Sequence, residues 1–177
     1  VLLAAVHESA WPPDVDVLLV GRFDDLDVSG MDDAARRRVV VFGRRPPAEV
    51  ADVLRHAIAS LSPKTYQTSA DPGAPVTGQA PLKVYESFGC GTPCIVSDVP
   101  IQNELVAMSG GGVVVAPNDP AALATAVADY ASDPGRRRRA AENAHVASTA
   151  YSWHTLAEQT RAFVRDRLDP DSRRDSR

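Results

Sequence analysis

Short, mainly apolar runs recur along the chain, separated by longer stretches that mix apolar and polar residues. Val17-Leu18-Leu19-Val20 ends at Gly21, Val39-Val40-Val41-Phe42 at Gly43, and Ala57-Ile58-Ala59-Ser60-Leu61 at Ser62-Pro63; Cys94-Ile95-Val96-Ser97 and Val113-Val114-Val115 follow. Runs this short, without polar alternation, predict strands buried on both faces. The stretches between them predict helices: the end of one at Leu2 to Val6, then Glu49 to His56 after Pro46-Pro47, Pro81 to Phe88 closed by Gly89 and Gly91, and Ile101 to Met108 opened by Pro100. Asp119-Pro120 and Asp133-Pro134 each set a capping side chain before a proline at the first helical position, and Ser152 caps a last helix ending near Leu168. Residues 22 to 37 read as a loop, and so does Lys64 to Ala80, which is expected to be open without ligand.

Apolar strands that alternate with helices need crossovers, and right-handed crossovers lay helices over a parallel sheet. The expected fold is therefore α/β, a doubly wound, Rossmann-like parallel sheet forming one domain over residues 1–168, with residues 169–177 a disordered charged tail. Ligands in such sheets bind beyond the carboxyl ends of the strands, so the segments after Gly21, Gly43, Ser62, Ser97 and Val115 are where chemistry is sought.

Composition narrows the class. With 44% apolar and 24% charged residues and a formal charge of -4 over 177 residues, the chain has the proportions of a globular protein, not of a fibrous or disordered one. No window approaches the roughly 18 apolar residues of a membrane span. The mild acidic balance argues against nucleic acid as the main partner, and all but Lys64 and Lys83 of the 19 basic residues are Arg, which suits discrete anion contacts. Val1 stands inside an apolar stretch with no charged leader, so the chain reads as a fragment. Cys90 and Cys94 have neither redox nor zinc spacing and are expected as buried free thiols in a reducing cytosol.

The richest segment runs from Gln79 to Pro93, a loop feeding a helix that carries Lys83 and Glu86. The unpaired amides of Leu82 and Lys83 at the helix start, with the dipole behind them and the Lys83 ammonium nearby, suit a phosphate. Glu86, one turn further in, can accept two hydrogen bonds from a ribose diol. Spacing alone leans to a plainer reading, in which Lys83 and Glu86 form an exposed ion pair worth about 0.2–0.5 kcal/mol. Other candidates carry plain readings too. His7, His56, His145 and His154 lack metal spacing, and Arg136 to Arg139 form a solvated helix face. Trp153 and Tyr151 are expected to pin the last helix to the sheet, and Glu104 to oppose a helix dipole.

From Asp16 to Leu168 the order of features resembles the carboxyl-terminal, nucleotide-sugar-binding domain of a retaining GT-B glycosyltransferase of family 4 (glycosyl transferases group 1). The matching pieces are Val39 to Gly43, Ala59 to Pro63, Pro81 to Pro93, Asn103-Glu104-Leu105-Val106, and Gly112 to Pro117 with Asp119-Pro120, followed by Ser152-Trp153. The resemblance implies that the amides near Leu82 and Lys83 hold the donor diphosphate, that Glu86 holds the ribose hydroxyls, and that Gly43-Arg44-Arg45 and Ser62-Pro63 lie beside the base. It implies a nucleoside diphosphate sugar as donor, no cofactor and no metal, and a cytoplasmic protein. A first strand, a basic pair and an acceptor domain are then missing upstream of Val1, with peripheral membrane contact through that missing domain. Eight positions before Glu86, where the family commonly has a first glutamate near the transferred sugar, stands Gly78. The expected function is transfer of a sugar with retention to an acceptor that the sequence does not name, this chain being the donor-binding half and inactive alone. The alternatives are a nucleotide-sugar epimerase of the same architecture and a non-catalytic nucleotide-binding module.

Overall fold

The computed structural model describes residues 1–24, 26–64 and 81–168. The chain begins with α1 (Leu2–His7), then β1 (Val17–Val20), α2 (Asp33–Arg37), β2 (Val39–Gly43), α3 (Pro47–His56) and β3 (Ser60–Ser62). It continues with α4 (Leu82–Gly89), β4 (Cys94–Ser97), α5 (Gln102–Ser109), β5 (Gly112–Val115), α6 (Pro120–Ser132), α7 (Pro134–Ser148), a 3-10 turn at Thr149–Tyr151 and α8 (Trp153–Leu168). The loop expected over Lys64 to Ala80, apart from Lys64 itself, lies outside the described residues, as do Gly78 and the expected tail.

Every strand pairing is parallel, as the apolar runs predict, but the strands form two sheets instead of one: β1 with β2, and β3-β4-β5. Along β4, Ile95 points into one core with Leu19, Leu123, Val127 and Tyr130, whereas Cys94 and Val96 point into a second core with Val84, Phe88 and Val106. The two-residue alternation of a strand puts these cores on opposite faces of the sheet. The first face carries α1 and α6; the second carries α4, α5 and α7. β4 is wholly buried, as a central strand covered on both sides must be. Gly112 faces it so closely that a Cβ there would lie 1.9 Å from the Cys94 carbonyl oxygen, which explains the glycine at that point of β5.

The small sheet is less covered than its sequence predicts. Leu18 is 41%, Val40 40% and Val41 52% exposed, and since Val40 and Val41 point to opposite faces, β2 is partly open on both. Two local expectations also give way. Residues 33–37 form the short α2, started by the Asp32 carboxylate accepting from the Ala35 amide at 2.7 Å, within a stretch whose polarity predicts only loop. Pro100 does not open α5; Ile101 follows it with φ of 74° and the helix begins at Gln102.

Candidate functional site

The carboxyl ends of β2, β3 and β4 and the start of α4 bound the candidate site. At the end of β2, Gly43 takes a φ of 76°, a left-handed conformation that glycine adopts without a Cβ penalty. Its carbonyl accepts from the Gly21 amide at 2.9 Å, tying the ends of β1 and β2 together. The chain leaves through Arg44, which is exposed, and Arg45, whose guanidinium lies 4.0 Å from the centre of the Phe42 ring and 3.8 Å from the Glu49 carboxylate.

At the end of β3, Ser62 is buried and its hydroxyl donates to Gln102 Oε1 at 2.9 Å. Gln102, fully buried at the start of α5, returns its Nε2 to the Ser62 carbonyl at 3.3 Å and the Ser97 carbonyl at 2.8 Å. The Lys64 amide donates to Ser97 Oγ at 3.0 Å. One amide side chain thus clamps the turn after β3 to the end of β4. Ile101, β-branched and at positive φ, is the backbone strain that delivers Gln102 to this position.

α4 starts without a side-chain cap: Pro81 precedes it, no acidic residue occupies its first turn, and the Val84 amide closes onto the Pro81 carbonyl at 2.9 Å. The amides of Leu82 and Lys83 therefore stand at the positive end of a helix dipole whose own first turn carries no carboxylate. Lys83 is exposed as a residue, yet desolvation at its position, with the like charge of Lys64 behind it, holds its pKa below the ordinary lysine value. Glu86 is exposed. Among the described residues no ion pair joins it to Lys83, so the plainer reading of that pair is not what the structure forms.

Of the residues singled out in the sequence, Arg44, Pro63, Lys83 and Glu86 line one cavity of about 1060 Å³. Gly43, Ser62 and Leu82 do not. Gly43 shapes the turn before Arg44, Ser62 is sealed behind the Gln102 clamp, and Leu82 is 66% exposed at the head of α4. Gln102 carried no motif that sequence reading could recognise: it heads the polar run Gln102-Asn103-Glu104, in which nothing marks it as the buried member.

The remaining candidates fall elsewhere. Glu104 is exposed and outside the cavity, its amide taken by the Asn103 side chain at 2.7 Å. His7 sits 3.3 Å from Asp32, His56 meets the Asp52 carbonyl at 2.7 Å, and His154 lies 3.3 Å from Glu158. Arg136 pairs with Asp129 at 2.7 Å and Arg137 donates to the Tyr130 carbonyl at 3.0 Å, so this basic run partly braces α6 as well as facing solvent. Trp153 does not pin the last helix: it is 82% exposed, while Tyr151 packs on Tyr85 of α4 at 5.2 Å between ring centres. Both cysteines are free; Cys94 is buried, and burial pushes its thiol up to about 12, but Cys90 is only half-buried.

Residues 4–147 match the family of glycosyl transferases group 1. The chain belongs to that family. It is 29% identical over 135 residues to glycogen synthase of Mycobacterium tuberculosis, a stretch that is 73% of this chain and 30% of that protein. Among solved structures it resembles Anabaena Alr3699/HepE in complex with UDP, with a TM-score of 0.71 and 22% identity over 93% of this chain and 44% of the other. Sucrose-phosphate synthase from Thermosynechococcus elongatus gives a TM-score of 0.69 and 26% identity, over 93% and 41%. The chain thus spans less than half the length of the relatives it matches. The fold is that of one half of a GT-B glycosyltransferase. Among the described residues no helix is long and apolar enough to cross a membrane.

Proposed function

We propose that this member of the glycosyl transferases group 1 family is the donor-binding half of a retaining hexosyltransferase that takes a nucleoside diphosphate sugar. The observation that carries the reading is the convergence of an uncapped α4 start, Lys83 and Glu86 with Arg44 and Pro63 at the carboxyl end of a parallel sheet. The diphosphate sits on the amides of Leu82 and Lys83, where the helix dipole and the ammonium oppose its charge. Glu86, with no ion pair to Lys83, accepts from the ribose hydroxyls, and Arg44 with the Gly43 turn and the Ser62-Pro63 turn borders the base. Stabilising the departing nucleoside diphosphate is then the chief catalytic contribution of this half. Solved relatives of the same fold hold UDP and UDP-glucose, which supports a nucleotide sugar of this kind.

The test is calorimetric titration of the protein with UDP, uridine and inorganic phosphate. On this reading UDP binds far more tightly than uridine, and proton uptake accompanies binding in the pH range just below the ordinary lysine value. The sign follows from Lys83: its pKa is lowered in the free fold, an anion beside it favours the charged form, and so binding draws a proton. Equal affinity for UDP and uridine contradicts the diphosphate site. The relatives are more than twice as long as this chain, and the reading assigns acceptor binding to the part of them that it does not span, so the chain alone should give no sugar transfer; turnover by it alone contradicts the division of labour.

A further inference from the structure

Pro63 is the cavity wall residue that follows directly on β3, and no strand pairing holds it. The pairing of β3 with β4 ends at Ser62, opposite Val96. Pro63 lines the cavity, while Ser62 itself does not. A proline has no amide to donate, so this part of the wall stands where the residues on either side of it are fixed. On one side the Ser62 hydroxyl and carbonyl are both bonded to the Gln102 side chain, at 2.9 and 3.3 Å. On the other the Lys64 amide donates to Ser97 Oγ at 3.0 Å.

The fully buried Gln102 side chain has its amide capacity matched to these partners. Nε2 faces two carbonyls, of Ser62 and Ser97, and Oε1 faces a hydroxyl, so a single orientation of the amide satisfies all three. The connection from β4 to α5 that carries Gln102 is itself tied down. The Asp98 amide donates to the Val115 carbonyl at 2.7 Å, the Val99 amide to the Ser97 carbonyl at 2.8 Å, and Asn103 Nδ2 to the Asp98 carboxylate at 2.7 Å. Ile101 keeps a φ of 74° within this frame, a strain that persists only where the surroundings over-determine it and that gathers where position matters. An apolar side chain of the same size would fill the volume without tying the ends of two strands together.

We propose that Gln102 is a positioning residue of the donor site: through Ser62 it sets where Pro63 stands, and so how wide the site is for the base of the nucleotide. The inference rests on the donor reading above, which puts the Ser62-Pro63 turn beside the base. Gln102 does not line the cavity, so it acts through the turn. A purine is wider than a pyrimidine by one fused ring, and a wall tied at both ends discriminates between them better than one that is free to shift. The three hydrogen bonds of Gln102 go to the ends of β3 and β4 and none to α4, whose start takes the diphosphate on that reading. The clamp therefore governs the base and leaves the phosphates alone.

The test is the ratio of the dissociation constants for UDP and GDP, titrated calorimetrically with pyrophosphate alongside, in the native chain, Gln102→Leu, Ser97→Ala and Asp119→Ala. The native protein should prefer one nucleotide by about tenfold or more; Gln102→Leu should bring the ratio to within about twofold of unity, and Ser97→Ala, which releases only the Lys64 amide, should move it the same way. Pyrophosphate should bind all of them alike. Asp119→Ala loosens the start of α6, outside the cavity, and should leave the ratio unchanged, which separates position from stability. If Gln102→Leu does not fold, Ser97→Ala carries the comparison. A native preference that survives both substitutions, a native protein that binds both nucleotides equally, or a pyrophosphate affinity that falls along with theirs overturns the role of Gln102. A native protein that binds UDP no better than uridine overturns the donor reading and this inference with it, so the two failures are told apart.

Discussion

At the scale of single residues, the two cysteines have opposite exposures and should behave accordingly. Burial pushes the Cys94 thiol up to about 12, so at pH 8 it carries almost no thiolate, while Cys90 is half-buried. Alkylation with iodoacetamide at that pH should label Cys90 first and Cys94 only as the protein unfolds; equal labelling rates in the native state contradict the packing around β4. Gln102 makes a second residue-scale prediction. Gln102→Leu removes the partner of the Ser62 hydroxyl and a donor to the Ser62 and Ser97 carbonyls, of which Ser97 keeps the Val99 amide at 2.8 Å; a buried group left unsatisfied costs about 1–3 kcal/mol, so urea unfolding should show a clear loss of stability. A loss below about 0.5 kcal/mol contradicts the clamp. Nothing in the sequence announced it: Ser62 and Gln102 are 40 residues apart, and their contact exists only because β3 and β4 pair in register.

At the scale of elements, what was readable was what is decided locally. Asp119 and Asp133 cap α6 and α7 by accepting from Ala122 and Arg136 at 2.9 and 2.8 Å, and Ser152 caps α8 through the Thr155 amide at 3.0 Å, all within three residues of the signal. Asp119→Ala should accordingly cost about 1 kcal/mol in chemical unfolding and Asp119→Asn much less, whereas equal losses would mean that charge, not the side-chain bond, starts α6. The apolar runs likewise marked each of the described strands, although only β4 is covered on both faces along its whole length. The misses came from tertiary context. The start of α5 is displaced past Pro100 because burying Gln102 forces Ile101 to a positive φ, and α2 forms in a polar stretch because Asp32 supplies a cap and Ala35 a buried contact. Trp153 looked like a core residue by type, yet α8 has no fully buried residue.

At the scale of the whole molecule, the division into two sheets was not readable from periodicity, which counts strands but does not report a break between them. The resemblance of the motif order to the glycosyl transferases group 1 family located the candidate site instead, and the fold then brought Arg44, Pro63, Lys83 and Glu86, spread over 43 positions, to one cavity. Gly78 and the rest of residues 65–80 lie outside the described residues, so the expectation attached to that position stays with the sequence. The central claim is that Glu86 reads the ribose of a nucleoside diphosphate, and one double-mutant cycle tests it most directly: UDP and its 2′-deoxy analogue, each titrated against the native protein and Glu86→Ala. Glu86→Ala should weaken UDP by about 1.5–3 kcal/mol per charge-assisted bond, the deoxy analogue should bind the native protein more weakly, and the two losses should overlap because they delete the same contact. Fully additive losses, or a Glu86→Ala protein that binds UDP as tightly as the native one, would contradict it.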